Sequence, residues 1–216
     1  MKILVAPSIL AADFGHLADE LHRVVEAGAD WLHLDIMDGQ FVDNISFGPA
    51  IVKLVRGLTN LPLDVHLMIE RADHYVPRFA EYGASSITVH VEPEAKHYVA
   101  ASLRLIRGCG CRAGITLNPA TSFGSVVPHL PNVDLLLIMT VHPGFGGQSF
   151  QPEMMEKVRR ARELRESLGL NYDIEVDGGI NDETAKLSIE NGANVMVAGT
   201  AIFKTDDYAA AIRSLR

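Results

Sequence analysis

Four titratable side chains lie in or directly after three short apolar segments of the chain. They are two histidines, His33 and His66, and two aspartates, Asp35 and Asp177. His33 and Asp35 are two residues apart, so on a strand their side chains point to the same face. Imidazole nitrogens and carboxylate oxygens are common ligands of divalent cations. Because unpaired buried charges are costly, this set predicts a metal site with room for substrate oxygens.

Other side chains at the ends of the apolar segments have predicted supporting roles. Ser8 ends the first segment and offers a hydroxyl group to a substrate. Met37 and Met68 each follow a predicted metal ligand by two residues and share its face, and Met139 ends a further segment. We predict that these methionines form an apolar collar that keeps the reacting centre dry. His90 also ends a segment, and we interpret it as a packed or solvated histidine rather than as a partner of the ligands.

Glycine-rich turns follow the last three apolar segments. Glycine lets backbone N–H groups approach an anion closely. A short helix predicted to begin near Thr200 would also direct its positive N-terminal end toward that anion. We therefore predict that the three turns together bind a phosphate group. They contain Gly144, Gly146 and Gly147, then Gly178 and Gly179, then Gly199.

A repeated unit indicates the fold that holds these residues. Residues 26–30, 81–85 and 190–194 each contain a Gly-Ala pair. Each pair follows an amphipathic helical pattern and precedes an apolar run, so the unit is helix, turn and strand. The spacing fits multiples of a unit of about 27 residues, and the chain is long enough for eight of them. This pattern predicts an α/β fold, a single (β/α)8 TIM barrel over residues 1–216.

In such a barrel the carboxyl ends of the strands form one mouth, where the active site lies. The predicted metal ligands and glycine turns would therefore converge there. The alternative is an open doubly wound sheet, although the turn after the first strand lacks the G-x-G-x-x-G pattern. The predicted strands are 3–9, 31–36, 63–68, 86–91, 113–117, 135–139, 172–176 and 195–198, and predicted helices include 16–27, 75–82 and 153–168.

The composition narrows the class of partner. Lysine and arginine number 19 against 27 acidic residues, a formal net charge of −8, which disfavours nucleic acid and anionic membranes. Cys109 and Cys111 are too close in sequence for an unstrained disulfide and are typical of reduced cytoplasmic thiols. The apolar N-terminal segment contains Pro7 and runs into Asp13, so we interpret it as a strand rather than a targeting signal. We expect a cytoplasmic protein.

Five motifs resemble those of the ribulose-phosphate 3-epimerase family and occur in the family's order. The resemblance extends from near residue 6 to near residue 203. It implies a barrel of the ribulose-phosphate-binding type that interconverts D-ribulose 5-phosphate and D-xylulose 5-phosphate. Asp43 stands where the family usually has proline, and Thr200 where it usually has serine. The motifs are APSILAADF from residue 6, HLDIMDG from residue 33, DVHLM from residue 64, PGFGGQ from residue 143 and VDGGI from residue 176.

The resemblance also implies a role for each candidate residue. A divalent cation (zinc, iron, manganese or cobalt) would be held by His33, Asp35, His66 and Asp177. Asp35 and Asp177 would be the acid–base pair that moves the proton at C3 through an enediolate. The implied partners are a phosphorylated ketose and further copies of the chain in a homo-oligomer. The implied substrate-binding residues are Ser8, His66, Gly144, Phe145, Gly146, Gly147, Gly178, Gly179, Gly199 and Thr200.

Three alternatives to this function are separable. An epimerase of a six-carbon ketose phosphate, such as D-allulose 6-phosphate, would differ in relative turnover of the two substrates. A lyase or decarboxylase of the same superfamily typically places a lysine among the strand-end acids, and we expect no lysine near a strand end in this mouth. A non-catalytic sugar-phosphate-binding barrel would not need to keep both carboxylates and both histidines.

Overall fold

A computed structural model describes residues 2–216. The chain alternates strands with helices, as the repeated unit predicts. The strands are β1 (Leu4–Pro7), β2 (Leu32–Met37), β3 (Leu63–Met68), β4 (Ser86–His90), β5 (Arg112–Leu117), β6 (Leu135–Met139), β7 (Asp173–Asp177) and β8 (Val195–Ala198). The helices are α1 (Leu17–Glu26), α2 (Pro49–Leu58), α3 (Ala72–Glu81), α4 (Val99–Gly108), α5 (Met155–Ser167), α6 (Asp182–Asn191), α7 (Thr200–Phe203) and α8 (Tyr208–Ser214).

The eight strands form one parallel sheet that closes into a barrel. Each strand from β2 to β8 pairs with its successor or predecessor in the chain, and β8 pairs with β1. The seam between β1 and β2 is joined by a bridge between Ser8 and His33, and by bonds from the N–H groups of Asp30 and Trp31 to the carbonyl of Val5. This order has no reversal of the kind that defines a doubly wound sheet. The predicted (β/α)8 barrel is confirmed, and the open-sheet alternative is wrong.

The fifth unit of the barrel departs from the regular repeat. Between β5 and β6, which are fully described, the chain forms two 3-10 segments, Phe123–Ser125 and Val127–Asn132, in place of an α-helix. Pro128 and Pro131 lie in the second segment and cannot supply the N–H groups that a continuing α-helix needs. By contrast, two helices, α7 and α8, follow β8.

The glycines of the repeat are required by the backbone. Gly28, Gly83 and Gly192 have φ values of 90°, 102° and 116°, a region that other residues rarely adopt. They follow the ends of α1, α3 and α6, where a left-handed residue ends a helix and turns the chain toward the next strand. The same device recurs at Gly110 and Gly169, after α4 and α5, where the surrounding sequence is too different to display the repeat.

The two ends of the barrel interior differ in polarity. At the amino end of the strands, Trp31, Leu135 and Val195 pack into an apolar plug. Toward the carboxyl end the interior carries fully buried imidazoles and carboxylates instead. The barrel therefore offers its polar chemistry at one mouth, the one where barrel enzymes have their active sites. Among residues 2–216, no helix combines the length and the apolar character that crossing a membrane requires.

Candidate active site

The four predicted metal ligands meet at the carboxyl end of the barrel. Asp35 on β2 lies between the two histidines: its Oδ1 is 3.2 Å from Nε2 of His33 and 3.2 Å from Nδ1 of His66. One ligand atom from each of these residues and from Asp177 on β7 fits within a group whose members are within 4.8 Å of one another. The register of the sheet produces this cluster, because Asp35 pairs with His66 across β2 and β3.

A buried carboxylate orients His33. Oδ2 of Asp64 is 2.7 Å from Nδ1 of His33, and the hydroxyl of Ser86 donates to the other oxygen of Asp64 at 2.6 Å. A carboxylate only accepts, so Nδ1 of His33 carries a proton, and Nε2, which faces Asp35, is the nitrogen left to bind a cation. We did not predict Asp64 as a site residue. Its signal in the sequence is its position two residues before His66, on the same strand face.

His90 contacts the cluster from the other side. Its Nε2 is 2.9 Å from Nε2 of His66, and its Nδ1 is 2.9 Å from Oε2 of Glu92. The side chain of His90 is buried, so it is packed, but it is also a hydrogen-bond partner of a predicted ligand. The prediction that His90 is not a partner of the ligands is therefore wrong. The sequence does not reveal that β3 and β4 place the two imidazoles together.

The two aspartates have opposite electrostatic surroundings. Burial opposes ionisation of Asp35, but the charge of His33 and hydrogen bonds from both histidines outweigh it and hold its pKa far below the usual range. Burial, and then the negative charge of Asp35, raise the pKa of Asp177 to about 7. Paired carboxylates with separated pKa values are the usual form of an acid–base pair.

A further acid lies beneath the cluster. Glu175 on β7 is fully buried, and neither of its carboxyl oxygens has a hydrogen-bond partner among the described residues. Burial and the charge of Asp64 raise the pKa of Glu175 well above its usual value. Oε1 of Glu175 is 3.7 Å from Nδ1 of His33, too far for a good hydrogen bond. Sequence reasoning missed this residue, although it precedes Asp177 by two and shares its face.

A cavity of about 340 Å³ opens over the cluster. Asp35 and Asp177 lie in its wall, whereas His33 and His66 are fully buried and are not among the described wall residues. Lys204, just after α7, also lies in the wall, so the mouth does contain a lysine, but not at a strand end. The other predicted site residues in the wall are Ser8, Met37, Met68, Met139, Gly144, Phe145, Gly146, Gly147, Gly178, Gly179, Gly199 and Thr200.

Apolar side chains and one hydroxyl surround the carboxylates. Met37 and Met68 pack together in one buried cluster, and Met139 belongs to another. All three methionines contribute to the wall of the cavity. The hydroxyl of Ser8 donates to Oδ2 of Asp35 at 2.6 Å, so Ser8 contacts a predicted catalytic group directly.

Some of the glycines in the mouth are required by packing as well as by any ligand. Gly178 and Gly179 have φ values of 118° and 66°. A Cβ atom on Gly179 would lie 2.5 Å from the backbone nitrogen of Phe150, and one on Gly178 would lie 2.4 Å from Val141. Gly146 is different, because no described atom lies within 4 Å of the Cβ it lacks and its φ is not in the left-handed region.

The substitution Gly179→Ala is expected to destabilise the fold by about 2–4 kcal/mol. The added methyl group would collide with backbone and would also demand a left-handed alanine, and each effect costs about 1–3 kcal/mol. Denaturant unfolding would measure the loss. Gly146→Ala is the matched control for stability and should stay within about 0.5 kcal/mol of the wild type. Equal stability of the two variants would contradict this account of Gly179.

The donor set of the cluster fits a divalent cation. Two imidazole nitrogens and two carboxylate oxygens converge, and one histidine is already oriented by a carboxylate behind it, as in many metal sites. Asp177 also brings a second carboxyl group close to Asp35. A positive charge between them would relieve the repulsion between the two carboxylates. The cluster could therefore bind a metal ion, and the chemistry of its donors does not select which one.

A (β/α)8 barrel with paired carboxylates and imidazoles at its mouth is the form of an enzyme that moves protons. The model of the ribulose-phosphate 3 epimerase family matches residues 4–203. The ribulose-phosphate 3-epimerase of Synechocystis sp. is 50% identical over 215 residues, covering 100% of this chain and 94% of the relative. That of Bacillus subtilis is 47% identical, covering 99% and 98%. The chain belongs to the ribulose-phosphate 3-epimerase family, and it is therefore an isomerase.

Solved structures add a likeness of fold. The crystal structure of KGPDC from Streptococcus mutans superposes with a TM-score of 0.70 and covers 100% of this chain and 96% of that one. Its sequence is only 14% identical. This likeness concerns the barrel alone and carries no information about the reaction.

Proposed function

We propose that this enzyme interconverts D-ribulose 5-phosphate and D-xylulose 5-phosphate by moving the proton at C3. The observation that carries the proposal is the position of Asp35 and Asp177, which lie in the wall of one cavity on strands β2 and β7. Inverting a carbon beside a ketone requires proton removal on one face and return on the other. Two carboxylates from separate strands fit that requirement.

The two carboxylates alternate as base and acid. Asp35 has a pKa held far below the usual range, so it begins ionised and accepts the C3 proton. Asp177 enters that direction of turnover as the acid and returns its proton from the opposite side. The intermediate is an enediolate of the substrate, and in the reverse direction the two roles exchange. The hydroxyl of Ser8 donates to Asp35 and fixes the orientation of that carboxylate.

A divalent cation (zinc, iron, manganese or cobalt) held by His33, Asp35, His66 and Asp177 completes the proposal. When bound, such a cation supplies positive charge that stabilises the negative charge of the enediolate. The convergence of two buried imidazoles and two carboxyl groups supports this assignment, because a bound cation would balance the buried negative charge. The methionine collar excludes water from the carboxylates.

The glycine turns hold the phosphate group of the substrate. Gly147, Gly178, Gly179, Gly199 and Thr200 all lie in the wall of the cavity, and a Cβ on Gly147 would be 4.0 Å from the side chain of Thr200. Their backbone conformations bring N–H groups close to a ligand without side chains in the way. Binding energy from this remote group positions C3 between the carboxylates.

The experiment that tests the proposal is incubation with D-ribulose 5-phosphate in D2O, with the cation supplied, followed by NMR of C3. We expect D-xylulose 5-phosphate with deuterium at C3, which requires proton abstraction and inversion together. Exchange of deuterium into ribulose 5-phosphate without xylulose 5-phosphate would contradict the two-base assignment. Recovery of unchanged, unlabelled substrate would refute the proposed reaction.

The proposal includes a cytoplasmic homo-oligomer. Two free cysteines, Cys109 and Cys111, are consistent with a reducing compartment. Exposed apolar side chains such as Phe14, Ile45 and Tyr98 offer surface that a second copy of the chain would cover.

A further inference from the structure

A chain of hydrogen bonds runs from His66 to the outside of the barrel. His66 meets His90, and His90 meets Oε2 of Glu92. The other oxygen of Glu92 accepts from the N–H of Asn118 at 2.7 Å and from the hydroxyl of Thr121 at 2.6 Å. The last three of these four bonds lie beyond the predicted ligands, at the end of strand β4 and in the segment after β5.

The far end of this chain is itself fixed. The ammonium group of Lys157 on α5 donates to the carbonyls of Asn118, Pro119 and Thr121 at 3.2, 2.7 and 2.7 Å. These bonds hold the segment whose N–H and hydroxyl groups meet Glu92. Burial opposes ionisation of Glu92, but its hydrogen bonds, first that with His90, lower its pKa to about 2. Glu92 is therefore an ionised acceptor in a fixed place.

The donors and acceptors in this series of hydrogen bonds can be assigned starting from Glu92. Glu92 only accepts, so the proton of His90 on that side is on Nδ1. Nε2 of a neutral His90 is then an acceptor, and the group that faces it, Nε2 of His66, must donate. A neutral His66 with its proton on Nε2 has its lone pair on Nδ1, the nitrogen that faces Asp35, and this is the arrangement that a cation bound between Nδ1 and the carboxylate would need.

We propose that Glu92 and His90 are positioning residues that fix the proton of His66 on Nε2 and so present Nδ1 to a divalent cation. This inference rests on the proposed metal site. It differs from the orientation of His33, where a carboxylate acts directly, because here a second imidazole lies between the carboxylate and the ligand. The substitution Glu92→Gln reverses the direction of the hydrogen bond between residue 92 and His90. The amide oxygen can still accept from Asn118 and Thr121, but its NH2 group now donates to His90.

The test uses Zn2+ as the probe in competition with a chromophoric chelator. Glu92→Gln is expected to weaken Zn2+ binding by about 10–100-fold, the usual effect of losing the hydrogen bond behind a metal-ligating histidine. His90→Leu should weaken it similarly, whereas His90→Gln, which can accept from His66 and donate to Glu92, should remain within about threefold of the wild type. In the metal-free proteins, 15N NMR should find the proton of His90 on Nδ1 in the wild type and on Nε2 in Glu92→Gln.

The matched control is His97→Gln. Nε2 of His97 donates to the backbone carbonyl of His90, and its Nδ1 is 2.8 Å from the hydroxyl of Ser102, but no described hydrogen bond joins His97 to His66. Its Zn2+ affinity should be that of the wild type. Wild-type Zn2+ affinity in Glu92→Gln would overturn the proposed positioning of His66. The same holds if His90→Gln binds Zn2+ as weakly as His90→Leu does. If the wild-type protein binds no Zn2+, both the metal site and the proposed positioning of His66 are overturned. Glu92→Gln preserves shape, so it decides the question if His90→Leu does not fold.

Discussion

Replacing either Asp35 or Asp177 with asparagine is expected to abolish epimerisation. A positioned acid or base contributes about 10²–10⁴-fold to rate, and each variant removes one of the two groups that must act in every turnover. The amide of asparagine is close in shape to the carboxyl group but cannot take up or release the proton at C3. Coupled assay of D-xylulose 5-phosphate formation would measure the loss. Near wild-type turnover in either variant would refute the two-base assignment.

The two variants should also differ from each other in a way that loss of activity alone does not reveal. In Asp177→Asn the remaining Asp35 can remove the C3 proton from one epimer and return a deuteron to the same face. That epimer should exchange with D2O without being inverted. Asp35→Asn should exchange the other epimer. Exchange of the same epimer by both variants would show that the two carboxylates do not lie on opposite faces of the substrate.

The control for this pair is Asp206→Asn. Asp206 is an exposed aspartate in the loop after α7, outside the described wall of the cavity. The substitution Asp206→Asn removes one negative charge from the protein, as the two test substitutions do, but leaves both predicted catalytic groups in place. Its turnover and its exchange of both epimers should match those of the wild type.

Removing the divalent cation with a chelator is expected to lower activity by about three orders of magnitude. Stabilising the charge of an enediolate is worth several kcal/mol, and each 1.36 kcal/mol is a factor of ten in rate. Addition of Zn2+, Mn2+ or Co2+ after removal of the chelator should restore turnover. Full activity after verified metal removal would contradict the proposed cation.

Metal removal should also lower thermal stability. A ligand at 100 times its Kd stabilises a protein by about 2.7 kcal/mol, and for a chain of this size each kcal/mol shifts Tm by about 2–4 °C. We therefore expect Tm to fall by about 5–10 °C. His33→Asn should show the lower Tm with or without added Zn2+, whereas His97→Gln should respond to the metal as the wild type does. An equal metal-dependent shift in His33→Asn would exclude His33 as a ligand.

The affinity for the cation should depend on pH with a definite sign. Without a cation the pKa of Asp177 is about 7, so below pH 7 this carboxyl group is mostly protonated. A proton must leave before the oxygen can bind a cation, so the apparent affinity should rise as pH increases through 7. Titrations with Zn2+ at pH 6 and pH 8 would measure this dependence. Affinity that does not change with pH would remove Asp177 from the ligand set.

The sequence predicts this site well where one strand carries the information. The two-residue period places His33 beside Asp35, and the helix–glycine–strand unit correctly predicts eight parallel strands. Prediction from the sequence fails for contacts that depend on the register between neighbouring strands. Asp64 pairs with His33 across β2 and β3, and no period within one strand reveals that contact. The link between His66 and His90 is missed for the same reason.

Two further features depend on packing rather than on local pattern. Gly179 has no room for a side chain because Phe150 approaches from the loop after β6, and a glycine-rich motif gives no sign of that neighbour. The absence of an α-helix between β5 and β6 follows from prolines whose effect depends on where the chain must turn back. Local sequence predicts the elements, whereas contacts between distant segments define the site.

The seam between β1 and β2 has a mechanical consequence. Ordinary neighbours in this barrel share a ladder of paired residues, whereas β1 and β2 share the Ser8–His33 bridge and a few bonds to Val5. Regions with few backbone bonds open first when a fold fluctuates. Asp35 lies on one side of this weak joint and Ser8 on the other, linked by a 2.6 Å hydrogen bond. A cation bound by residues of β2, β3 and β7 would link strands on both sides of β1 and β8. The Ser8–Asp35 hydrogen bond and the bound cation would therefore stabilise the barrel at the joint that opens most readily.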